Sequence, residues 1–249
     1  MGRVVILGSA SAVPDPEHEN THILIEAGSR MVLVDCPGSP TVRLQQAGRD
    51  PVRLTDVILT HFHPDHVSGF AALLMNLWLV GRKEAINVYG LEPTIERAKA
   101  MMDLYDWREW PGFYPVNYVS LPAEEHALVL EDDALRIFSS PVEHLIPTIG
   151  LRFEMGKQVV AYSCDTQPSP VTERLARGAN VLIHEATGSS VGHTPPEKAG
   201  EVAQRAGVQR LYLIHYPPHL VTAKKLLERA LQTFSGEVIV AADLMTIEI

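Results

Sequence analysis

Three imidazoles and a carboxylate fall within six residues, at His61-Phe62-His63-Pro64-Asp65-His66. Nitrogen and oxygen donors of this kind suit a borderline divalent ion such as zinc. Along an extended segment His61 and His63 project to the same side, so both can reach one ion. Asp65 and His66 lie in the turn into a following helix and can reach a second. Eleven histidines scattered at random over 249 residues would rarely place three in six, so a polar helix cap does not account for the run.

Further donors stand after apolar strand-like runs: His144 beyond Leu135–Phe138, Asp165 beyond Val159–Ser163, and His215 beyond Leu211–Ile214. Taken singly each could be an ordinary polar residue. Their shared position matters, because strand ends are where α/β proteins assemble sites. Asp35 likewise ends Met31-Val-Leu-Val-Asp, ahead of the turn at Pro37-Gly38. Cys36 and Cys164 adjoin Asp35 and Asp165. Neighbours on an extended chain point oppositely, so both cysteines are expected to face away as small packing residues.

The elements that must position these residues alternate between strands and helices. Strands are expected at Val4–Leu7, His22–Glu26, Met31–Asp35, Asp56–Thr60, Ile86–Tyr89, Val116–Ser120, Leu135–Phe138, Ile149–Phe153 and Val159–Ser163. Later ones end in Val181–His184, Leu211–His215 and Val238–Ala241. Helices are expected over Thr41–Gln46, from Asp65 to Val80, from Pro93 to about Asp106, and over Thr222–Phe234. Both halves run from antiparallel strands into βα units, which predicts an α/β fold of four layers, αββα, as one domain over residues 1–249.

The set HxHxDH, followed by His144, Asp165 and His215, resembles the dinuclear signature of the metallo-β-lactamase superfamily. The resemblance implies that His61, His63 and His144 hold a first ion, that Asp65, His66 and His215 hold a second, and that Asp165 bridges them. It makes Asp35 an acceptor that orients a ligand histidine. It also implies two divalent ions, zinc before manganese or iron. His184-Glu185-Ala186-Thr187, His193-Thr194 and Ser163-Cys164-Asp165-Thr166 resemble segments of the ribonuclease Z group, which cleaves phosphodiesters. On that likeness Asp65, Glu185 and His193 are the catalytic residues. Asp65 positions the attacking water, and His193, held protonated by Glu185, assists the leaving group.

Other features bound the substrate. Twenty-one basic against 30 acidic side chains give a formal charge of −9, which disfavours a broad nucleic-acid-gripping face. The transfer-RNA-processing members of the group carry a flexible arm between the positions of His144 and Asp165. Here these lie only 21 positions apart, so no arm is expected. Glu17-His18-Glu19-Asn20 puts carboxylates where the group usually has an arginine. The expected partner is therefore a small anionic substrate, a cyclic phosphate or a short nucleic acid, with transfer-RNA 3′ processing as an alternative. Thioester or lactone hydrolysis and non-catalytic nucleotide binding or metal sensing are further alternatives. No apolar run reaches the ~18 residues of a membrane span, and the first residues read as a strand rather than a leader. A cytoplasmic location and a homodimer are the remaining expectations. Trp107–Pro115 concentrates aromatics and reads as a packed loop, with a wall over the metals or a dimer contact as the other options.

Overall fold

Along Val4–Leu7 all four side chains are buried, with Val4 and Ile6 in one core cluster and Val5 and Leu7 in another. That alternation is the pleat of a strand covered on both faces. It recurs throughout the computed structural model, which describes residues 2–249. The first half comprises β1 (Gly2–Gly8), β2 (His22–Ala27), β3 (Arg30–Val34), α1 (Pro40–Gln46), β4 (Asp56–Ile58), α2 (Pro64–Val67), α3 (Phe70–Leu79), β5 (Ile86–Leu91), α4 (Glu92–Asp103) and β6 (Val116–Leu121). The second comprises β7 (Ala127–Glu131), β8 (Arg136–Val142), β9 (Thr148–Met155), β10 (Gln158–Tyr162), α5 (Pro170–Ala176), β11 (Val181–Glu185), α6 (Pro196–Ala206), β12 (Arg210–Ile214), α7 (Ala223–Ala230), β13 (Glu237–Val240) and β14 (Thr246–Glu248).

Two seven-stranded mixed sheets result, ordered β14-β1-β2-β3-β4-β5-β6 and β13-β12-β11-β10-β9-β8-β7. In the first, β1, β2 and β3 pair antiparallel, and β3 to β6 pair in parallel. In the second, β7 to β10 are antiparallel and β10 to β13 parallel. One apolar cluster fills the space between the sheets, including Ile6, Ile25, Val34, Ile137, Leu151 and Phe153. A second packs the first sheet against α1, α3 and α4 through Leu44, Leu74 and Ala98. A third packs the other sheet against α6 and α7 through Ala203, Leu213 and Leu226. The architecture is thus four-layered, αββα. Each fully buried aliphatic side chain contributes about 2 kcal/mol to holding these layers together.

This topology brings the donors to one edge. Strands β10, β11 and β12 run in parallel, so Asp165, Glu185 and His215 emerge together at their carboxyl ends. Both β8 and β10 are antiparallel to β9, so β8 points the same way and delivers His144 beside them. In the other sheet, parallel β3 and β4 present Asp35 and the Thr60–His63 segment. The sheets are tied at this edge by the Ile149 N–H donating to the Thr60 carbonyl at 3.1 Å.

Several elements differ from expectation. The helix over Asp65–Val80 is two helices, α2 and α3, separated by Ser68 and Gly69. A Cβ on Gly69 would lie 2.6 Å from the Gly38 carbonyl and 2.7 Å from that of Cys36, so this close backbone approach needs glycine. Strands β7 and β14 were unexpected; both are short edge strands, and β7 leaves Leu128 exposed. Helix α4 stops at Asp103, and Asp106 beyond it is left-handed at φ 49°. Helix α7 ends at Ala230 rather than Phe234. Strands β9 and β10 pair Met155 with Gln158, leaving only Gly156 and Lys157 to close the hairpin. There is no room there for an arm. Among the described residues, no helix is long and apolar enough to cross a membrane.

Candidate active site

The turn from β4 into α2 is held from behind by Asp35. Its Oδ1 accepts from the Thr60 N–H at 2.8 Å, and its Oδ2 accepts from the Thr60 hydroxyl and from His66 Nδ1–H, each at 2.8 Å. Asp35 is fully buried and left-handed at φ 61°, a conformation a non-glycine residue keeps only where its surroundings fix it. The same carboxylate therefore sets both the end of the extended segment and the ring that begins the helix.

Two groups of donors face each other across this edge. In one, His63 Nδ1 lies 3.0 Å from His61 Nε2 and 3.2 Å from His144 Nε2. In the other, His66 Nε2 is 3.6 Å from Asp65 Oδ2 and 3.5 Å from Asp165 Oδ2, while His215 Nε2 is 3.5 Å from Asp65 Oδ2 and 3.4 Å from Asp165 Oδ1. Asp165 Oδ2 also stands 3.9 Å from both His61 Nε2 and His144 Nε2, so this carboxylate looks into both groups.

The far nitrogens of three rings are already spent. His144 Nδ1–H donates to the Gly192 carbonyl at 2.8 Å, His215 Nδ1–H to the Thr187 hydroxyl at 2.8 Å, and His61 Nδ1–H to the Thr60 hydroxyl at 3.1 Å. Each donation leaves a bare Nε2 lone pair aimed at the cluster. Three buried atoms there, His66 Nε2, His215 Nε2 and Asp165 Oδ1, have no hydrogen-bond partner. Orphans of this kind cost stability unless something binds them. Tetrahedral zinc with bonds of 2.0–2.1 Å sets its ligand atoms about 3.3 Å apart, close to the spacings found. The donor set fits divalent metal.

The field of the protein groups alone favours neutral rings at His61, His63 and His144 and a charged one at His66. Burial presses the His61 pKa well below its ordinary value, with His66 nearby adding to this, and burial likewise lowers His63 and His144. Burial also works against a charged His66, but Asp165 and Asp35 outweigh it and hold its pKa well above the ordinary value. Burial would raise the Asp165 carboxyl, yet His215 and His66 keep it well below the usual carboxylate range.

Beside the donors stands a second, differently built pair. Glu185 is completely buried at the end of β11, and its Oε1 accepts from His193 Nδ1–H at 2.9 Å, from the Thr166 N–H at 3.1 Å and from the Thr194 N–H at 3.2 Å. Its Oε2 accepts from the Thr187 N–H at 2.9 Å. Burial opposes protonation of His193, and the Glu185 hydrogen bond and charge outweigh it, raising the His193 pKa. The ring of His193 lies 5.0 Å from that of His144 and 5.8 Å from that of His215. An open hollow of about 310 Å3 joins His193, His63, Asp65, Asp165 and His215 to the surface.

A family profile described as "Beta-lactamase superfamily domain" matches residues 23–216. The chain belongs to the beta-lactamase superfamily. Curated relatives include the Ribonuclease Z of Methanothermobacter thermautotrophicus, 26% identical over all of this chain and 97% of that protein. The Ribonuclease Z of Mycobacterium marinum is 28% identical over all of this chain and 99% of its own. Among solved structures, the metallo-beta-lactamase fold protein YhfI from Bacillus subtilis superposes with a TM-score of 0.84 at 23% identity, covering 99% of this chain and 98% of that one. The short form of human tRNase Z gives 0.80 at 23% identity, with 99% of each chain covered. The fold is that of the metallo-β-lactamases, with which divalent-metal binding goes.

Every residue singled out in this superfamily member's sequence for metal or proton chemistry reaches this one edge. Cys164 does not behave as expected. It is left-handed at φ 52°, which breaks strand alternation and turns its thiol inward, where it donates to the Thr60 hydroxyl at 3.0 Å. Cys36 packs into the helix-covered core as foreseen. The sequence assigns no role to Thr60 or Thr187, although each buttresses a ring nitrogen; a hydroxyl next to a histidine-bearing turn is the available signal. His22 is a buried strand residue, and His18 bonds Asp15 at 2.9 Å. The aromatic segment packs on α3, with Trp110 stacked on Trp78 at 5.2 Å and the buried Tyr114 hydroxyl donating to the Leu74 carbonyl at 3.1 Å. None of its rings lines the hollow beside His193.

Proposed function

We propose that this protein is a dinuclear, zinc-dependent phosphodiesterase acting on a small phosphodiester, a cyclic phosphate or a short RNA. The observation that carries this reading is the buried Glu185–His193 pair, set beside two donor groups that share Asp165. His61, His63 and His144 would hold one ion, and Asp65, His66 and His215 the other, with Asp165 between them and Asp35 orienting His66. Bound there, divalent ions would supply positive charge to the phosphoryl oxygens and make an attacking water acidic near neutral pH. Asp65, at the open side of the cluster, accepts a hydrogen bond from that water and orients it. His193 holds a proton on the ring nitrogen opposite its bond to Glu185 and delivers it to the departing oxygen. Glu185 keeps that imidazole charged and aimed.

A second reading, transfer-RNA 3′ processing, is favoured by full-length similarity to proteins named Ribonuclease Z. Against it stand the two-residue β9–β10 connection and the formal charge of −9. The test is hydrolysis of bis(p-nitrophenyl) phosphate by protein of measured zinc content, beside His193→Ala. Wild-type turnover is expected, with kcat in the variant down about 100-fold or more at unchanged zinc content. A fully metallated wild type without turnover sinks the proposal.

A further inference from the structure

A second hollow, about 490 Å3, opens on the other flank of His144. Leu145, Ile146, Val191 and Gly192 supply its apolar walls, and Glu143 and Gln167 its polar side. The two hollows share a ridge. His144 Nε2 faces His63 on one side while Nδ1–H is fixed to the Gly192 carbonyl on the other, and Val191-Gly192 lead directly into His193. Leu145 and Val191 are 60% and 77% exposed, so large apolar side chains stand at the rim with nothing covering them.

Charge and hydrogen bonding narrow the occupant. Among the described residues, no lysine or arginine lines either hollow. The Gln167 amide donates one N–H to Glu143 Oε2 at 2.7 Å, so this exposed pair turns a carboxylate and an amide, and no cation, to the opening. Such a surface repels phosphate and carboxylate and accepts apolar faces or N–H and O–H donors.

We propose that this hollow is the leaving-group subsite, shaped for an uncharged, largely apolar alcohol such as a phenol or an unphosphorylated nucleoside. The inference rests on the reading of His193 as the proton donor. Phosphodiester hydrolysis forms a bond from water oxygen to phosphorus and breaks the bond to the departing oxygen. The water gives a proton to Asp65, and the departing oxygen leaves with its electron pair and takes the proton from His193. Attacking and departing oxygens lie on opposite sides of phosphorus in an in-line displacement. Asp65, Asp165 and His193 all line the first hollow, so attack and proton delivery both take place there, with His193 at the end that adjoins the Val191-Gly192 ridge. The departing group then passes the ridge into the second. A phosphorylated chain departing that way would meet Glu143 and no cation, so the site selects against long nucleic acid from its own surface.

The experiment uses zinc-loaded protein and three diesters. These are methyl 4-nitrophenyl phosphate, its analogue with a carboxylate on the departing nitrophenyl ring, and 4-carboxybenzyl 4-nitrophenyl phosphate, whose carboxylate stays on the retained group. Wild type is expected to favour the first over the second by about two- to fivefold in kcat/KM, the size of one exposed charge contact. The Leu145→Lys/Val191→Lys variant is expected to erase or reverse that preference, mainly through KM, with no comparable change for the third. Val191→Lys alone serves if the double variant folds poorly. Turnover with a preference untouched by the lysines overturns the subsite and leaves the phosphodiesterase reading standing. A reversal confined to the third diester also overturns it, by placing the retained group in the hollow. Absence of turnover on all three overturns both readings.

Discussion

Asp35 satisfies three donors with one carboxylate, and in doing so couples the backbone at Thr60 to the ring of His66. An amide in its place would keep the shape but set an NH2 against N–H or O–H donors and remove the charge behind the imidazole. Asp35→Asn is therefore expected to weaken zinc binding by about 10–100-fold, the range typical of residues that orient metal ligands. Titration against a competing chelator measures it, and an unchanged affinity would show that His66 is oriented by packing alone. At this scale the donors themselves were legible, because histidines and aspartates at the ends of apolar strands announce their chemistry. The way Cys164 points was not. Strand alternation assigned its thiol outward, and only the left-handed turn shared by Asp35, Cys164 and His215 brings it in. Such a turn at a non-glycine residue is dictated by tertiary surroundings that no local pattern records.

At the level of elements, apolar periodicity located the strands that fill the space between the sheets and missed what backbone crowding and edges decide. The helical pattern ran unbroken through Gly69, where contact with the Gly38 and Cys36 carbonyls divides α2 from α3. Edge strands β7 and β14 carry too little buried pattern to stand out. Two buried histidines on largely apolar strands give the element-scale prediction. His22 on β2 and His184 on β11 face the helix-covered sides of their sheets, and burial pushes each pKa down to about 4. In the unfolded chain each titrates near 6.5. The unfolded state therefore takes up protons first as pH falls. The stability that comes from keeping both rings neutral is complete above about pH 6.5, is lost between about 6.5 and 4, and changes no further below. Each ring accounts for roughly 3 kcal/mol across that window. His184→Asn should accordingly flatten the acid limb of the stability–pH curve, followed by urea unfolding at a series of pH values. An acid limb as steep as in wild type would contradict the assignment.

For the whole molecule the site is a clamp between sheets. His61, His63, Asp65 and His66 extend from the first sheet, and His144, Asp165 and His215 from the second, meeting at the edge where parallel strands end. The αββα layering was legible because both halves of the chain pass from antiparallel strands into βα units. How the halves close on each other was legible only through the donors, which must meet around common ions. In the metal-free protein the facing imidazole nitrogens and the buried Asp165 oxygen without a partner oppose that closure. A ligand that binds the folded state alone stabilises it by mass action, about 2.7 kcal/mol at a free concentration 100 times its Kd. For a chain of this length, 1 kcal/mol moves Tm by about 2–4 °C. Removing metal with a chelator is expected to lower Tm by about 5–10 °C, and restoring zinc should recover it. Asp165→Ala takes away the carboxylate that faces both groups, so its Tm should respond little to either treatment. A wild-type Tm indifferent to chelation would mean that the sheets close without help from this edge, and that the donors are held in place by Asp35, Thr60, Thr187 and the Gly192 carbonyl before any ion arrives.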